Sequence, residues 1–273
     1  MYEQTLKYIS NFLLKGDIDV SSSGLLHGKM GLVVFLFHYA RHTGNKLFEN
    51  HAMELMDNIQ EQILQQHDIH YADGLAGIGT AVEYLVQNNF VEADTNEILE
   101  EFDKKIFRKT VYGDHEDVNL ETGLSGLGRY FLFRVTGHYT NDNQIGTLNN
   151  KMSLIHITDT FDRMCSSFNR TEVKDVLGFL YAMNQTNIYP AKVKRLIELL
   201  ISGSQSSSQD DITQQHQIKI TAFYNSKYNE LLSNFQENTQ PNIVPGLFGG
   251  LAGIGLHVLS KIEKQHATWM NLL

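Results

Sequence analysis

Apolar residues recur along the chain at helical spacing, in runs that alternate with more polar stretches. After Gly31, apolar residues occupy positions 32, 33, 35, 36 and 39, which is the spacing of a buried helix. The stretches Phe48 to Ile63 and Thr95 to Phe107 carry one apolar stripe opposite acids and lysines, a pattern typical of a helix with a solvated face. Strand-like alternation is scarce. The pattern therefore predicts an all-α chain of inner and outer helices.

A glycine phrase opens four of the apolar runs. It reads G-x-x-G from Gly28, Gly74, Gly123 and Gly250, and the last three copies add a third glycine two residues further on. The first three copies start 46 and then 49 residues apart, and a period of this length indicates a repeat architecture. With a weaker candidate at residues 176–181, the chain is expected to contain about five helical hairpins.

We expect the hairpins to form an α/α toroid in a single domain of residues 1–273. The first glycine of each phrase is expected to take a positive φ at a sharp turn, and the second to let backbones approach closely. All inner helices would then start at one mouth, where free N–H groups favour anionic ligands. The polar stretch 203–217 is expected to be an exposed or mobile loop.

Charge, cysteine content and the missing nucleotide motif narrow the possible partners. A net charge of −9 leaves no basic stripe for phosphates, which argues against a nucleic-acid partner. The phrase G-x-x-G-x-G is not the dinucleotide fingerprint, and no strand pattern precedes it. The sequence shows no secretion signal and no stretch that could span a bilayer. Cys165 is the only cysteine and can form no internal disulfide, so we expect the protein in the cytoplasm.

The glycine phrases resemble those of the lanthionine cyclase C-like family. The resemblance is carried by Leu26 to Gly31, Asp73 to Gly79, Gly123 to Gly128 and Pro245 to Gly255. It implies an α/α toroid, a bacterial origin, and a role in lanthipeptide biosynthesis, in which family members close thioether rings on dehydrated peptides. It also implies a precursor peptide as ligand and other peptide-modifying enzymes as partners.

The zinc of that family is not expected in this chain. The family holds its zinc with two cysteines and a histidine, and the metal activates the attacking peptide thiol as a thiolate. Cys165 is the only cysteine here, so the sequence predicts neither a metal nor another cofactor. The resemblance leaves open whether the chain is a cyclase-like enzyme or a peptide-binding relative without catalysis.

The resemblance also implies acid–base residues beside the glycine phrases. The family places a histidine immediately before one phrase, where this chain has His27, and an acid upstream of another. Three positions compete for the acid: Asp73, Asp117, and Asn119, which stands where the carboxylate is expected. An imidazole exchanges protons near neutral pH. Asp73 has the alternative role of an N-cap for the helix that follows Gly74.

The remaining candidates line the presumed mouth and are expected to bind substrate: Lys29, Asp117, Asn119, Glu121 and Arg129. Two alternatives to the peptide hypothesis stay open. Paired carboxylates, Asp73 with Asp117 or Glu121, could cleave a glycosidic bond in a carbohydrate-active toroid. The chain could also be a structural interaction module that binds a partner through its surface.

Overall fold

The described part of the chain is helical. A computed structural model describes residues 2–14, 20–63, 68–137, 145–204, 209–236, 244–264 and 267–273, and these contain no strand, so the all-α prediction is confirmed. A 3-10 helix, Thr268–Leu272, follows the last α-helix. The α-helices are α1 (Tyr2–Leu14), α2 (Lys29–Thr43), α3 (Lys46–Ile63), α4 (Leu75–Gln87), α5 (Thr95–Ile98), α6 (Glu100–Tyr112), α7 (Leu124–Thr136), α8 (Ile145–Met164), α9 (Arg170–Gln185), α10 (Pro190–Ser204), α11 (Gln209–Gln236) and α12 (Leu251–Glu263).

The chain divides into two compact units. The first unit combines Met1–Gln66 with Gln214–Leu273, and the second unit is His67–Thr213. Helices α2 and α12 follow the glycine phrases of the first unit, and α4 and α7 follow those of the second. The organisation as a single domain stays a prediction.

Burial separates inner from outer helices as the sequence pattern predicts. Most residues of α2, α4, α7 and α12 are buried, because their apolar positions surround the helix. Helices α3 and α6 bury only a narrow stripe. The stretch predicted from Thr95 to Phe107 forms two helices, α5 and α6, which meet at Leu99.

The third glycine of a phrase leaves room for an aromatic ring. A Cβ built on any of these glycines would lie closer than 3.0 Å to a ring carbon, a distance that real side chains do not tolerate. The inner helices therefore pack at a separation that only glycine permits. The glycine and ring pairs are Gly79 with Tyr130, Gly128 with Phe179, and Gly255 with Phe35.

A buried ion-pair network ties three helices of the second unit together. Arg134 of α7 donates from Nη1 to Glu83 of α4 at 2.7 Å and from Nη2 to Asp103 of α6 at 2.8 Å. The Tyr130 hydroxyl also donates to Asp103, at 2.6 Å. All four residues are buried. Because a buried charge that loses its partner is costly, the network fixes these helices against one another.

The stretch 203–217, predicted to be an exposed or mobile loop, is helical where the structure describes its backbone. Helix α10 extends to Ser204 and α11 begins at Gln209, while residues 205–208 lie outside the described residues. A polar stretch can be helical when apolar residues at helical spacing continue it. In α11 the buried residues Tyr224, Tyr228 and Leu231 supply that continuation.

No helix within the described ranges has both the length and the apolar character needed to cross a membrane.

Candidate functional site

Each glycine phrase is preceded by a loop that folds back over the helix start. We define the glycine loops as the seven residues that end at the first glycine: 22–28, 68–74, 117–123 and 244–250. The backbone N–H of the first helical residue donates to the carbonyl of the first loop residue in all four. These pairs are Lys29 with Ser22, Leu75 with Asp68, Leu124 with Asp117, and Leu251 with Val244, at 2.9 to 3.0 Å.

This fold-back, and not a positive φ, requires the first glycine. The φ angle lies between −120° and −94° at all four positions, so the predicted positive φ is wrong. A Cβ on Gly74 would instead lie 2.6 Å from the carbonyl oxygen of Asp68 and 2.6 Å from the backbone nitrogen of His70. Only a residue without Cβ leaves the loop room to return over the helix.

The same fold-back satisfies N–H groups that the sequence predicted to be free. Leu75 donates to the carbonyl of Asp68, and Ala76 donates to the carbonyl of Ile69. The loop carbonyls thus take the place that an anion would occupy at an uncapped helix start. The prediction of an anion site is wrong for these N–H groups.

The two glycine loops of each unit contact each other. In the second unit, the backbone N–H groups of Tyr71 and Ala72 donate to the carbonyl of Glu121 at 3.0 and 2.9 Å. In the first unit, Phe248 N donates to the Leu26 carbonyl at 2.8 Å. Two helix starts therefore lie side by side in each unit. That all four share one mouth stays a prediction.

A cleft of about 300 Å³ lies beside the paired loops of the second unit. It is bounded by the glycine loop of α4, the end of α6 with the residues that follow, and the start of α7. Two imidazoles, two carboxylates and one ammonium group belong to it, and these are groups that can exchange protons or form hydrogen bonds with a polar ligand. Its lining residues are Asp68, Ile69, His70, Lys109, Gly113, Asp114, His115, Thr122 and Leu127.

His70 is the imidazole that the glycine loop of α4 contributes to the cleft. Asp68 Oδ1 lies 2.8 Å from His70 Nδ1 as an ion-pair contact and accepts a hydrogen bond from the backbone N–H of His70 at 2.9 Å. A carboxylate oxygen accepts, so the neutral ring carries its proton on Nδ1 and its lone pair on Nε2. The side chain is 45% exposed.

His115 has a different task at the opposite wall of the cleft. Its Nε2 lies 2.9 Å from the carbonyl oxygen of Lys109 and 3.0 Å from that of Thr110. Carbonyls only accept, so Nε2 is the donor. These are carbonyls of the last turn of α6, which a histidine near a helix C-terminus commonly satisfies. His115 therefore caps α6.

Asp117 and Asn119 shape the glycine loop that carries Thr122 to the cleft. Asp117 Oδ1 accepts from Asn119 N at 2.9 Å, and its Oδ2 accepts from Asn119 Nδ2 at 2.8 Å and from the Thr122 hydroxyl. Asn119 Oδ1 accepts from Thr122 N at 2.8 Å. Because both oxygens of Asp117 serve its own loop, the structure gives no support to a pair of glycosidase carboxylates that includes it.

The charge of Arg129 acts on two acidic groups, the half-buried Asp175 and the buried Tyr71. The Asp175 carboxylate of α9 accepts from Leu120 N at 3.1 Å and so joins α9 to the glycine loop of α7. Burial raises the pKa of Asp175 above its ordinary value, while Leu120 N and the Arg129 charge oppose the rise. Burial also raises the pKa of the Tyr71 hydroxyl, again against the charge of Arg129.

The other predicted site residues divide between the two units. His27 and Lys29 belong to the first unit, where the His27 ring faces Phe248 edge-on at 6.3 Å between centroids. Asp73 and Glu121 belong to the paired loops of the second unit. The N-cap of α4 is Gly74, so the N-cap interpretation of Asp73 is wrong. Catalytic roles for His27 and Asp73 stay predictions.

The residues present do not fit the two-cysteine zinc site that the resemblance would imply. Cys165 is the only cysteine of the sequence, and it follows the end of α8, where its thiol donates to the Asp162 carbonyl at 3.1 Å. Within the described ranges, no three side chains of His, Cys, Asp or Glu converge as a metal site requires.

Sequence reasoning missed the groups that line the cleft. Asp68 and His70 lie six and four residues before Gly74, the same spacing at which the candidates Asp117 and Asn119 precede Gly123. The spacing D-x-H within a glycine loop was the available signal. His115 and Asp175 carried none, since only the packing of α6 and α9 brings them to the glycine loops.

Two comparisons with known proteins find a related sequence pattern and a related fold. The family model described as lanthionine synthetase C-like protein matches residues 19–179. The solved structure of nisin cyclase matches with a TM-score of 0.52 and 11% sequence identity, over 99% of this chain and 96% of that one. At that identity the likeness shows the fold alone, and it confirms the predicted all-α toroid class. No curated protein matches the sequence significantly.

Proposed function

The chain belongs to the lanthionine synthetase C-like family, and we propose that it serves the modification of a peptide in the manner of a lanthionine cyclase. In this proposal it works without zinc. It binds a dehydrated precursor peptide at the cleft of the second unit, beside the paired glycine loops.

The cleft is the observation that carries the proposal. It opens at the starts of two glycine-phrase helices and combines hydrogen-bonding groups of both signs, from Asp68, Lys109 and Thr122 among others. A peptide offers both N–H and C=O groups, so a mixed lining suits it better than a lining of one charge. A cleft of about 300 Å³ has room for a few residues of an extended peptide.

The zinc-free part of the proposal rests on the donor set. A structural or catalytic zinc needs three or four converging ligands. The family uses two cysteines for this purpose, whereas this chain has a single cysteine, Cys165. Its thiol donates to the Asp162 carbonyl at the end of α8.

We also propose where and with what the protein works. A chain with one cysteine suits a reducing cytoplasm. The net charge of −9 favours a cationic or neutral peptide over nucleic acid. A dehydratase, which would supply the dehydrated residues, is the expected partner enzyme.

A binding and ring-closure experiment tests the proposal. The probe is a synthetic peptide with one dehydroalanine, one cysteine and a fluorescent label, and the purified full chain is analysed for metals beforehand. Fluorescence anisotropy measures binding. Ring closure leaves the peptide mass unchanged but removes the thiol, so mass spectrometry after N-ethylmaleimide treatment counts closed peptides.

We expect saturable binding that persists after dialysis against EDTA, with less than stoichiometric zinc. The same peptide with alanine and serine in place of dehydroalanine and cysteine is the matched control and should bind more weakly. Stoichiometric zinc together with ring closure would overturn the zinc-free assignment. If both peptides bound with equal affinity, or if neither bound, the choice of ligand would be overturned.

A further inference from the structure

We propose that His70, oriented by Asp68, is the general base that takes the proton from the peptide thiol in the cleft. This inference rests on the proposed function and adds catalysis to it. In the family, a zinc ion held by two cysteines and a histidine activates the peptide thiol. This chain lacks the second cysteine, and in our proposal His70 activates the thiol instead.

The chemistry requires such a group. A cysteine thiol has an ordinary pKa of about 8.5, so only a few per cent is thiolate at neutral pH, and the thiolate is the nucleophile. A positioned base raises the rate of such a step by about 10²- to 10⁴-fold.

His70 presents the correct atom. Asp68 Oδ1, 2.8 Å from Nδ1, favours the tautomer that carries its proton on Nδ1 and its lone pair on Nε2. No described residue forms a hydrogen bond with Nε2, and the side chain lines the cleft.

The backbone holds both members of the pair. Gly74 N donates to the His70 carbonyl at 3.0 Å, and Leu75 N donates to the Asp68 carbonyl at 2.9 Å. Because Gly74 permits this fold-back, the same glycine phrase that starts α4 also places the imidazole.

Two of the charged groups on the other cleft walls are unsuited to act as the base. Lys109 comes from α6, and Asp114 and His115 come from the segment after it. His115 uses Nε2 to cap α6, and an ammonium group such as that of Lys109 has no lone pair to accept a proton. The ammonium group instead suits the stabilisation of negative charge that develops on the peptide.

The step balances without an outside reagent. The S–H bond breaks and its proton goes to His70 Nε2. The sulfur electron pair forms the S–Cβ bond with the dehydroalanine while the C=C π pair moves to Cα. Cα then takes a proton from the imidazolium, which restores the base. The peptide is isomerised, with no oxidation, no reduction and no change in mass.

Ring-closure rates of three variants test the inference on the full chain, with the enzyme-free rate subtracted. We expect His70→Gln to lower kcat/KM at about pH 7 by at least about 100-fold. The loss should shrink towards about pH 9, where the thiol ionises unaided. His70→Ala should regain activity with added imidazole, which a merely structural role would not allow.

His51→Gln is the matched control, because His51 also pairs its Nδ1 with a carboxylate, that of Glu54 at 3.3 Å, on the outer helix α3. It should close rings at the wild-type rate. Wild-type rates for His70→Gln would overturn the role of His70 and leave the proposed function standing. A wild-type chain that binds the peptide without closing it would overturn the role as well, and failure to bind would remove the proposed function itself.

Discussion

Glycines within the helices of this chain differ in what a side chain would meet. At Gly128 of α7 a Cβ would lie 2.4 Å from the Phe179 ring, whereas at Gly178 of α9 its nearest neighbour is Arg129 Nη2 at 4.0 Å. Both residues lie inside helices, so replacement by alanine offers the same gain in helix propensity, about 1 kcal/mol. Only the packing distinguishes the two positions.

We predict opposite effects of the two alanine substitutions on stability. Gly178→Ala should raise the free energy of unfolding by about 1 kcal/mol. Gly128→Ala should lower it by about 2 kcal/mol, because overpacking of a tight core exceeds the propensity gain. Urea unfolding of the full chain measures both, and equal changes would contradict the assigned role of the third glycine.

Two histidines link stability to pH. Burial lowers the pKa of His257 from the ordinary 6.5 to about 4, with a smaller contribution from Lys261. His38 is lowered to about 4 as well, by burial and then by Arg41. Since the unfolded chain binds these protons first, the neutral folded forms contribute stability above about pH 6.5 that is lost as the pH falls towards 4.

We predict that the free energy of unfolding falls by about 1.4 kcal/mol per pH unit for each histidine in this window. His257 Nε2 contacts Asn225 at 2.8 Å, and glutamine at position 257 can still form a hydrogen bond with Asn225. The variant His257→Gln should therefore remove only the contribution of His257 to the slope of unfolding free energy against pH. His38→Gln should remove the other. An unchanged slope in the double variant would disprove the assignment.

At the scale of elements, Arg134 is the residue on which the packing of α4, α6 and α7 depends. We predict that Arg134→Met lowers the free energy of unfolding by about 3 to 5 kcal/mol, because Glu83 and Asp103 would stay buried without their cation. Arg195→Met is the control. Arg195 is 57% exposed and pairs with Asp162 at the surface, so its loss should cost less than about 1 kcal/mol. Equal losses, measured by urea unfolding, would refute the role of the network.

The elements were predictable where a local pattern specifies them. The starts of α2, α4, α7 and α12 follow from glycine phrases that precede apolar runs at helical spacing. The reason for the glycines could not be predicted from the sequence. A Cβ on Gly74 would collide with the backbone of Asp68 and His70, and only the folded loop brings that backbone close to Gly74. Helix α11 was missed in part because the buried residues that continue it begin well after its polar start.

At the scale of the whole molecule, the family and the toroid class could be read from the repeated phrases, but the cleft could not. His70 is one of twelve histidines, and the spacing D-x-H before Gly74 is the one local signal that distinguishes it. Asp117 and Asn119 were found from the sequence; the structure shows them in hydrogen bonds within their own loop, and their role in substrate binding stays a prediction. The cleft is formed by three segments of the chain, so it can be predicted only when the packing of these segments is known.

The negative charge of the chain predicts salt-dependent binding. With a net charge of −9, a lysine-containing form of the probe peptide should bind more weakly as NaCl rises to about 0.5 M, because salt screens exposed charges. The same peptide with glutamine in place of lysine is the control and should respond less. Anisotropy titrations compare the two, and identical salt responses would exclude an electrostatic contribution.

The account depends on the peptide lying in the cleft beside the paired glycine loops, and photo-crosslinking tests this most directly. A dehydroalanine peptide that carries a diazirine would be irradiated with the full chain, and the adducts would be mapped by mass spectrometry. We predict adducts within residues 68–74 and 109–122. Adducts confined to the outer helix α3, or to α10, would contradict the account.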